Sequence, residues 1–336
     1  MFDIPVALFL FKRFDTLVPI FKQLEKIKPK VLYLIADQGR NEEERKKAQY
    51  VRDNIDSLIT WNCQVIKDYA DDNRGVYGNI ALGASRVLDS EKWAIFLEDD
   101  NFPSISFFNY CREMLHMYEQ NPRVLWICGT NYLTEYSPAG GASYLFTKQL
   151  MPCGWASWSH KFSAAYDFNL DKTDRRSKQI AKSSYKVRRL YFQQLFNVEY
   201  ELCNIADSGR FFSWDYHMAW TLRTGDYYGI VPAVNLIKNI GVDCDSEHGG
   251  TSLEYAMTNR FCSMDGLELS FPLIHPKELA VDPVYEKKIE RILLYPLGEW
   301  LGVVVKLIVY KVFGVSLNSS IRQLVKGKFE RKNDGV

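Results

Sequence analysis

Three consecutive carboxylates, Glu98-Asp99-Asp100, end the apolar run Trp93-Ala94-Ile95-Phe96-Leu97. Adjacent negative charges repel, so a folded chain keeps them together only with a compensating cation or with ample water. A divalent ion carrying a diphosphate is one compensation, because a hard cation such as Mg²⁺ takes carboxylate and phosphate oxygens together. A solvated loop after a core strand is the other. The apolar run is short and aromatic-rich, which predicts a strand buried on both faces of a largely parallel sheet. Its carboxyl end is the edge at which open α/β sheets bind ligands.

Other polar groups follow the same pattern. Val6 to Phe11 predicts a first buried strand ending at Lys12-Arg13, and Val31 to Ile35 a second ending at Asp37. Cys63 to Ile66 predicts a third, followed by the turn-forming Asp71-Asp72-Asn73-Arg74-Gly75 and a helix from about Asn79 to Leu88. Asp15 is expected to cap the first helix, with Pro19 in its first turn. Asn41 and Glu44 form a candidate capping box for the second helix. Val124 to Cys128 predicts another strand. Strand alternating with helix predicts a parallel, doubly wound sheet over roughly residues 1–130. That topology brings Arg13, Asp37, the loop from Asn73 to Asn79 and Glu98-Asp99-Asp100 to one edge. There a carboxylate can accept hydrogen bonds from a base or ribose, and Arg13 or Arg74 can pair with phosphate. Taken singly, each is an ordinary surface charge.

Composition narrows the classes. The 336 residues are 47% hydrophobic and 25% charged, as in globular proteins, and a net charge of +1 gives no global case for nucleic-acid binding. No GxGxxG or P-loop pattern follows any predicted strand, which excludes the common dinucleotide and P-loop sites. Seven scattered cysteines without a CxxC pair suggest reduced thiols and disfavour zinc. The segment Met1-Phe2-Asp3-Ile4-Pro5 lacks the basic start of a signal peptide, and the expected location is cytoplasmic.

The second half loses the alternation. Lys172 to Arg189 carries eight basic residues and is expected to be a solvated helix. Gly154-Trp155-Ala156-Ser157-Trp158 is too aromatic for a plain turn, and Phe211 to His217 opens a helix toward Leu222. Ile292 to Val315 is apolar but broken by Pro296, Glu299, Lys306 and Lys311, which makes it a poor membrane span. It reads either as a packed helix or as an interfacial one, with Arg322, Lys326, Lys328, Arg331 and Lys332 following to meet anionic lipid on the inner face of the plasma membrane.

In order, these motifs resemble the nucleotide-sugar glycosyltransferases of the GT-A fold. The likeness is nearest to bacterial family-2-like sugar transferases and more distant to the N-acetylglucosaminyltransferase that begins complex N-glycan branches. In that group a Glu-Asp-Asp form of the DXD motif ends a buried strand, as Glu98-Asp99-Asp100 does here. Ala36-Asp37-Gln38-Gly39, Asn73-Arg74-Gly75 with Asn79, Gly154 to Trp158, Trp214-Asp215-Tyr216, Asn239-Ile240-Gly241, His248-Gly249 and Phe271-Pro272-Leu273 also match, covering about residues 4 to 276. The resemblance implies an α/β, GT-A (Rossmann-like), mostly parallel sheet flanked by helices. Residues 1–280 would form the transferase domain, with 1–130 as its nucleotide-binding half and 131–280 as its acceptor-binding half. Residues 281–336 would form a helical, apolar and basic tail.

The resemblance also implies roles. Asp100 would bind Mn²⁺ or Mg²⁺, Glu98 and Asp99 would hold ribose or water, and Asp37 would bind uracil. Arg13, Arg74 and Asn79 would complete the donor site. Asp215 would be the general base that receives the acceptor proton in an inverting transfer, although it fits equally well as a helix N-cap. His248 would be a further metal ligand or phosphate contact, or simply a loop residue. Trp155, Trp158 and Trp214 would form a platform for a sugar ring, or else pack in the core. The implied partners are a UDP-sugar donor and a glycan or lipid-linked acceptor of bacterial surface-glycan synthesis. A nucleotidyltransferase, or a carbohydrate-binding protein without turnover, are the alternatives.

Overall fold

Strand β1 (Val6–Leu10) sends Val6, Leu8 and Leu10 into one buried cluster, and Ala7 and Phe9 into a second on the opposite face. Apolar side chains on both faces require helices above and below the sheet. The computed structural model describes residues 1–242, 254, 256–313 and 316–318. Beyond β1 it forms β2 (Val31–Ala36), β3 (Gln64–Tyr69), β4 (Trp93–Glu98), β5 (Asn101–Pro103), β6 (Val124–Cys128), β7 (Tyr144–Thr147), β8 (Trp155–Trp158), β9 (Tyr228–Pro232) and β10 (Ile237–Asn239). Eight of these make one mixed sheet in the order β3-β2-β1-β4-β8-β6-β9-β7, and β10 pairs with β5 in a small antiparallel ladder. The fold is therefore α/β, a large and mostly parallel mixed sheet between helices.

On one face lie α1 (Phe14–Ile27), α2 (Glu42–Asn54) and, after α3 (Leu82–Ser90), α4 (Ile105–Met117). The other face is covered by α3, α5 (Ser159–Ala165), α8 (Trp214–Thr224) and α10 (Pro283–Ile292). A satellite layer joins α6 (Arg175–Ser184) and α7 (Arg188–Ser208) to α8, and α9 (Ala256–Cys262) and α11 (Leu297–Phe313) complete the helices.

The four parallel strands β3-β2-β1-β4 follow the predicted rhythm. The next position does not. Antiparallel β8 is inserted between β4 and β6, with Ala156 opposite both Ile95 and Ile127. Its tryptophans explain why: Trp155 stacks on Phe96 at 4.0 Å and on Trp126 at 4.1 Å, and the Trp158 indole donates to the Leu115 carbonyl. The sheet thus runs across the boundary drawn at residues 130/131.

Three local expectations change. Arg13, not Asp15, occupies the N-cap position of α1, and Pro19 falls in the second turn, where its missing N–H cannot reach the carbonyl one turn back. Asn41 does cap α2, accepting from Glu44 N at 3.0 Å, but the Glu44 carboxylate turns to Arg40 and Lys12 rather than closing the box. The first turn of α4 is satisfied from afar, with Glu268 accepting from Ile105 N and Ser106 N at 3.0 and 2.8 Å.

Helix α10 belongs to the core rather than to a separate tail, since Tyr285 and Ile289 are fully buried. Its Glu286 and Glu290 lie 3.1 and 3.2 Å from the Arg223 guanidinium of α8, and all three side chains are shut off from solvent. Thr147 and Gln149 donate to Glu286 at 2.7 and 2.9 Å. Breaking a buried pair from one side leaves an uncompensated charge. Arg223→Met should therefore cost on the order of 3–5 kcal/mol in urea unfolding, against about 1 kcal/mol or less for an exposed pair. A loss in that lower range would remove this network as the fastening of α10.

Candidate active site

Parallel pairing fixes the site before any side chain is considered. Phe9 lies opposite Glu98, Leu10 opposite Ala36, and Ala36 opposite Tyr69, so the segments that leave β1, β2, β3 and β4 emerge side by side. Arg13, Asp37, the loop after β3 and the acidic triplet are brought to one edge.

The triplet is held by donors from three segments. Phe11 N donates to Asp99 Oδ2 at 3.1 Å. Arg13 Nη1 lies 3.1 Å from Asp100 Oδ2 and 4.0 Å from Asp99 Oδ1. Asn101 Nδ2 donates to Asp100 Oδ1 at 2.7 Å, while Asn101 Oδ1 accepts from Gly154 N at 2.8 Å. The β5–β10 ladder brings the chain after β10 over this group: Ile240 N donates to the Asp100 carbonyl at 2.9 Å, and Arg13 reaches the Gly241 carbonyl at 3.5 Å. A Cβ at Gly241 would sit 2.1 Å from Arg13 Nη1 and 2.4 Å from Asp100 Oδ2, so only glycine permits this approach. Asn101 and Gly241 are the members that motif reading left unassigned to the triplet. Their signals were an amide directly after three acids and a glycine in the matched Asn239-Ile240-Gly241.

Among the described residues, Arg13 is a cation that pairs with the triplet. Shielding from water pushes the Glu98 carboxyl well above the usual carboxylate range, and Asp100, Asp99 and Asp215 push the same way against Arg13. Asp215 is therefore close enough for its charge to be felt at the triplet. The route is structural. Arg210 of the second half donates to the Asn73 carbonyl at 3.4 Å, and Tyr77 packs on Phe211 and His217 at 5.2 and 4.8 Å. His217 is buried, donating through Nδ1 to the Asp167 carbonyl at 2.9 Å as its neutral tautomer, and burial pulls its pKa down to about 4.

Asp215 is not the cap of α8. Ser213 takes that place, accepting from Tyr216 N, and its hydroxyl also donates to the Asp215 carboxylate in the first helical turn.

Asp37 is buried and fully engaged. Its two oxygens accept from Gln38 N, Arg74 N, Gly75 N and Asn73 Nδ2 at 2.7–3.1 Å, which fastens the loop after β3 to the end of β2. Burial raises its pKa against those donors. Arg52, unassigned in the sequence reading, ties the same strand ends by donating to the Ala36, Asp37 and Ala70 carbonyls. Arg74 pairs with Asp68 at 2.8 Å. Asn79 lies in a π-helical turn, Tyr77–Ala81, that runs into α3. Arg74 Nη1 and Asn79 Oδ1 are buried without a protein hydrogen-bond partner, a cost of about 1–3 kcal/mol each that a bound polar ligand would remove.

Of the two readings of the tryptophans, packing in the core is the one the structure shows. Trp155 and Trp158 are sealed inside the sheet, and Trp214 is buried against Trp126 and Trp155, so none offers a face to a sugar ring. His248 lies outside the described residues. Among the described residues, no group of three or more His, Cys, Asp or Glu side chains is arranged to cage a metal.

No family model and no curated protein matches the chain. Among solved structures, the chain is similar to the crystal structure of HddC from Yersinia pseudotuberculosis, at 14% identity with a TM-score of 0.25. That match covers 34% of this chain and 55% of the HddC chain, about half its length.

Asp37→Ala would strip the acceptors from Asn73, Arg74 and Gly75. It should cost roughly 1–3 kcal/mol and raise hydrogen exchange at the Arg74 and Gly75 amides. Unchanged protection at both amides would mean that other contacts hold this loop.

Proposed function

We propose that this chain is a GT-A-type, metal-dependent glycosyltransferase that moves a sugar from a UDP-sugar to the hydroxyl of a surface-glycan or lipid-linked acceptor, with inversion. The observation that carries the reading is the convergence, at the carboxyl edge of one parallel sheet, of three linked carboxylates, a cationic side chain and a loop with unpaired buried polar atoms. The start of α8, which carries Asp215, packs against the loop after β3.

A divalent cation fits the donor set. The triplet offers oxygen ligands only, and burial together with the neighbouring Asp100 and Asp99 holds Glu98 toward its neutral form. A Mg²⁺-type ion is commonly bound through one or two carboxylates with substrate phosphates and water, so it needs no all-protein cage. When bound, such an ion would neutralise charge on the leaving diphosphate. Asp100 is the carboxylate assigned to hold it, with Glu98 and Asp99 beside it. Arg13 and Arg74 supply charged donors for phosphate, and Asn79 Oδ1 supplies an acceptor for base or ribose. Asp215 would take the proton from the attacking hydroxyl. Ser213 donates to its carboxylate and so fixes the orientation of the base.

Two measurements test the halves of this reading separately. Asp100→Ala should keep the fold and lose Mn²⁺-dependent binding of UDP in calorimetry. Unchanged metal-dependent affinity would take Asp100 out of the site. On the acceptor side, removal of a general base costs about 10²–10⁴-fold in rate. Asp215→Asn should accordingly bind UDP-sugar and melt like wild type but transfer at least about a hundredfold more slowly. Ser213→Ala, which removes the actual cap together with the hydrogen bond to Asp215, should cost about 1 kcal/mol of stability as well as slowing transfer. Near-normal transfer by Asp215→Asn would move the base elsewhere. Absence of UDP release by the wild-type protein across UDP-sugars would favour a binder without turnover.

A further inference from the structure

Helix α11 carries an apolar surface that the fold leaves uncovered. Its inner face is used: Val303 and Leu307 are buried, and the Trp300 indole donates to the Arg189 carbonyl of α7 at 3.0 Å. Its outer face is Leu297, Leu301, Val305, Ile308 and Val312, each between 48% and 66% exposed. Steps of four, four, three and four residues keep these five on one stripe of an α-helix. Single exposed leucines are ordinary, but a continuous row of five large apolar side chains on one helix marks an interaction surface.

Length, packing and charge select its occupant. Seventeen residues of helix extend about 25 Å at 1.5 Å per residue, short of a hydrocarbon core of about 30 Å. Among the described residues, no single helix is long and apolar enough to cross a membrane; α10 and α11 reach that length and apolarity only as a pair bent by 84°, and α10 is packed in the core. With one flank fixed to α7, the helix can lie against a surface but cannot thread through it. Within α11 itself Lys306 and Lys311 outnumber Glu299, while the whole chain is only +1. Two copies meeting through this region would bring like charges together, whereas anionic headgroups would neutralise them.

We infer that the outward face of α11 docks flat on an anionic membrane surface, inserting Leu297, Leu301, Val305, Ile308 and Val312 to the depth of the acyl boundary while the α7 side stays in protein. The buried attachment of α10 makes this a rigid platform rather than a loose tail, and the inference is independent of the reading of the carboxylate site.

Flotation of the full-length protein with vesicles of phosphatidylcholine alone, or mixed with phosphatidylglycerol, tests it. The wild type should float with the anionic vesicles, bind the zwitterionic ones far less, and be released by high salt. Leu301→Glu/Ile308→Glu should lower partition on the order of a hundredfold, from the apolar area removed, with an unchanged melting temperature. Leu301→Gln/Ile308→Gln repeats the test without added charge and should lower partition in the same direction. Four results would overturn the inference: a wild type that stays soluble with both vesicles, glutamine variants that float like wild type, resistance to carbonate extraction, or a wild-type dimer that ignores vesicles and dissociates in the variants. The last would place a second copy on this face.

Discussion

Electrostatic repulsion among Glu98, Asp99 and Asp100 is the constraint around which this edge of the molecule is built. Three carboxylates in sequence at the end of a buried strand are unfavourable unless donors converge on them. The fold supplies these from segments distant in sequence: a backbone amide and a guanidinium after β1, an amide side chain at the start of β5, and a glycine after β10 that lets the chain close over them. Burial first, and then the neighbouring carboxylates, push Glu98 toward its protonated form.

Much of this edge was legible in the sequence because parallel strands make a simple rule: whatever follows each buried run shares one side. Arg13, Asp37 and the triplet obeyed it. Partnership within the site was less legible. Asp37 reads as a free acceptor in sequence, yet four N–H groups of its own neighbourhood consume it. Asp215 reads equally as base or cap, and only the position of Ser213 decides that it is not the cap. The tryptophans of residues 155–158 gave no local sign of being a strand, since four residues without a polar-apolar alternation have no period to detect. Their place was set by the gap between two aromatic-lined strands, a tertiary fact.

The second half contributes less by its own chemistry than by where it leans. Arg210, Phe211 and His217 meet the loop after β3, so the start of α8 and the end of β3 form one continuous wall. Behind α8, Arg223 fastens α10 through two buried glutamates. The wall that carries Asp215 is thus braced by residues seventy positions further along the chain, and the acidic edge depends on the carboxyl-terminal third for its shape.

The insertion of β8 between β4 and β6 has a consequence for how the chain is assembled in time. Phe96, Trp155 and Trp126 form one stack whose middle ring is supplied last. Until residue 158 has left the ribosome, β4 and β6 each present an unpaired edge and a bare aromatic face to one another, with nothing to separate or join them. The alternating β/α segment at the amino terminus therefore has one sheet edge that only a later, non-local strand covers. Its nascent form is a half-sheet with an open edge of the kind that templates misassembly, and completion waits on a non-local pairing.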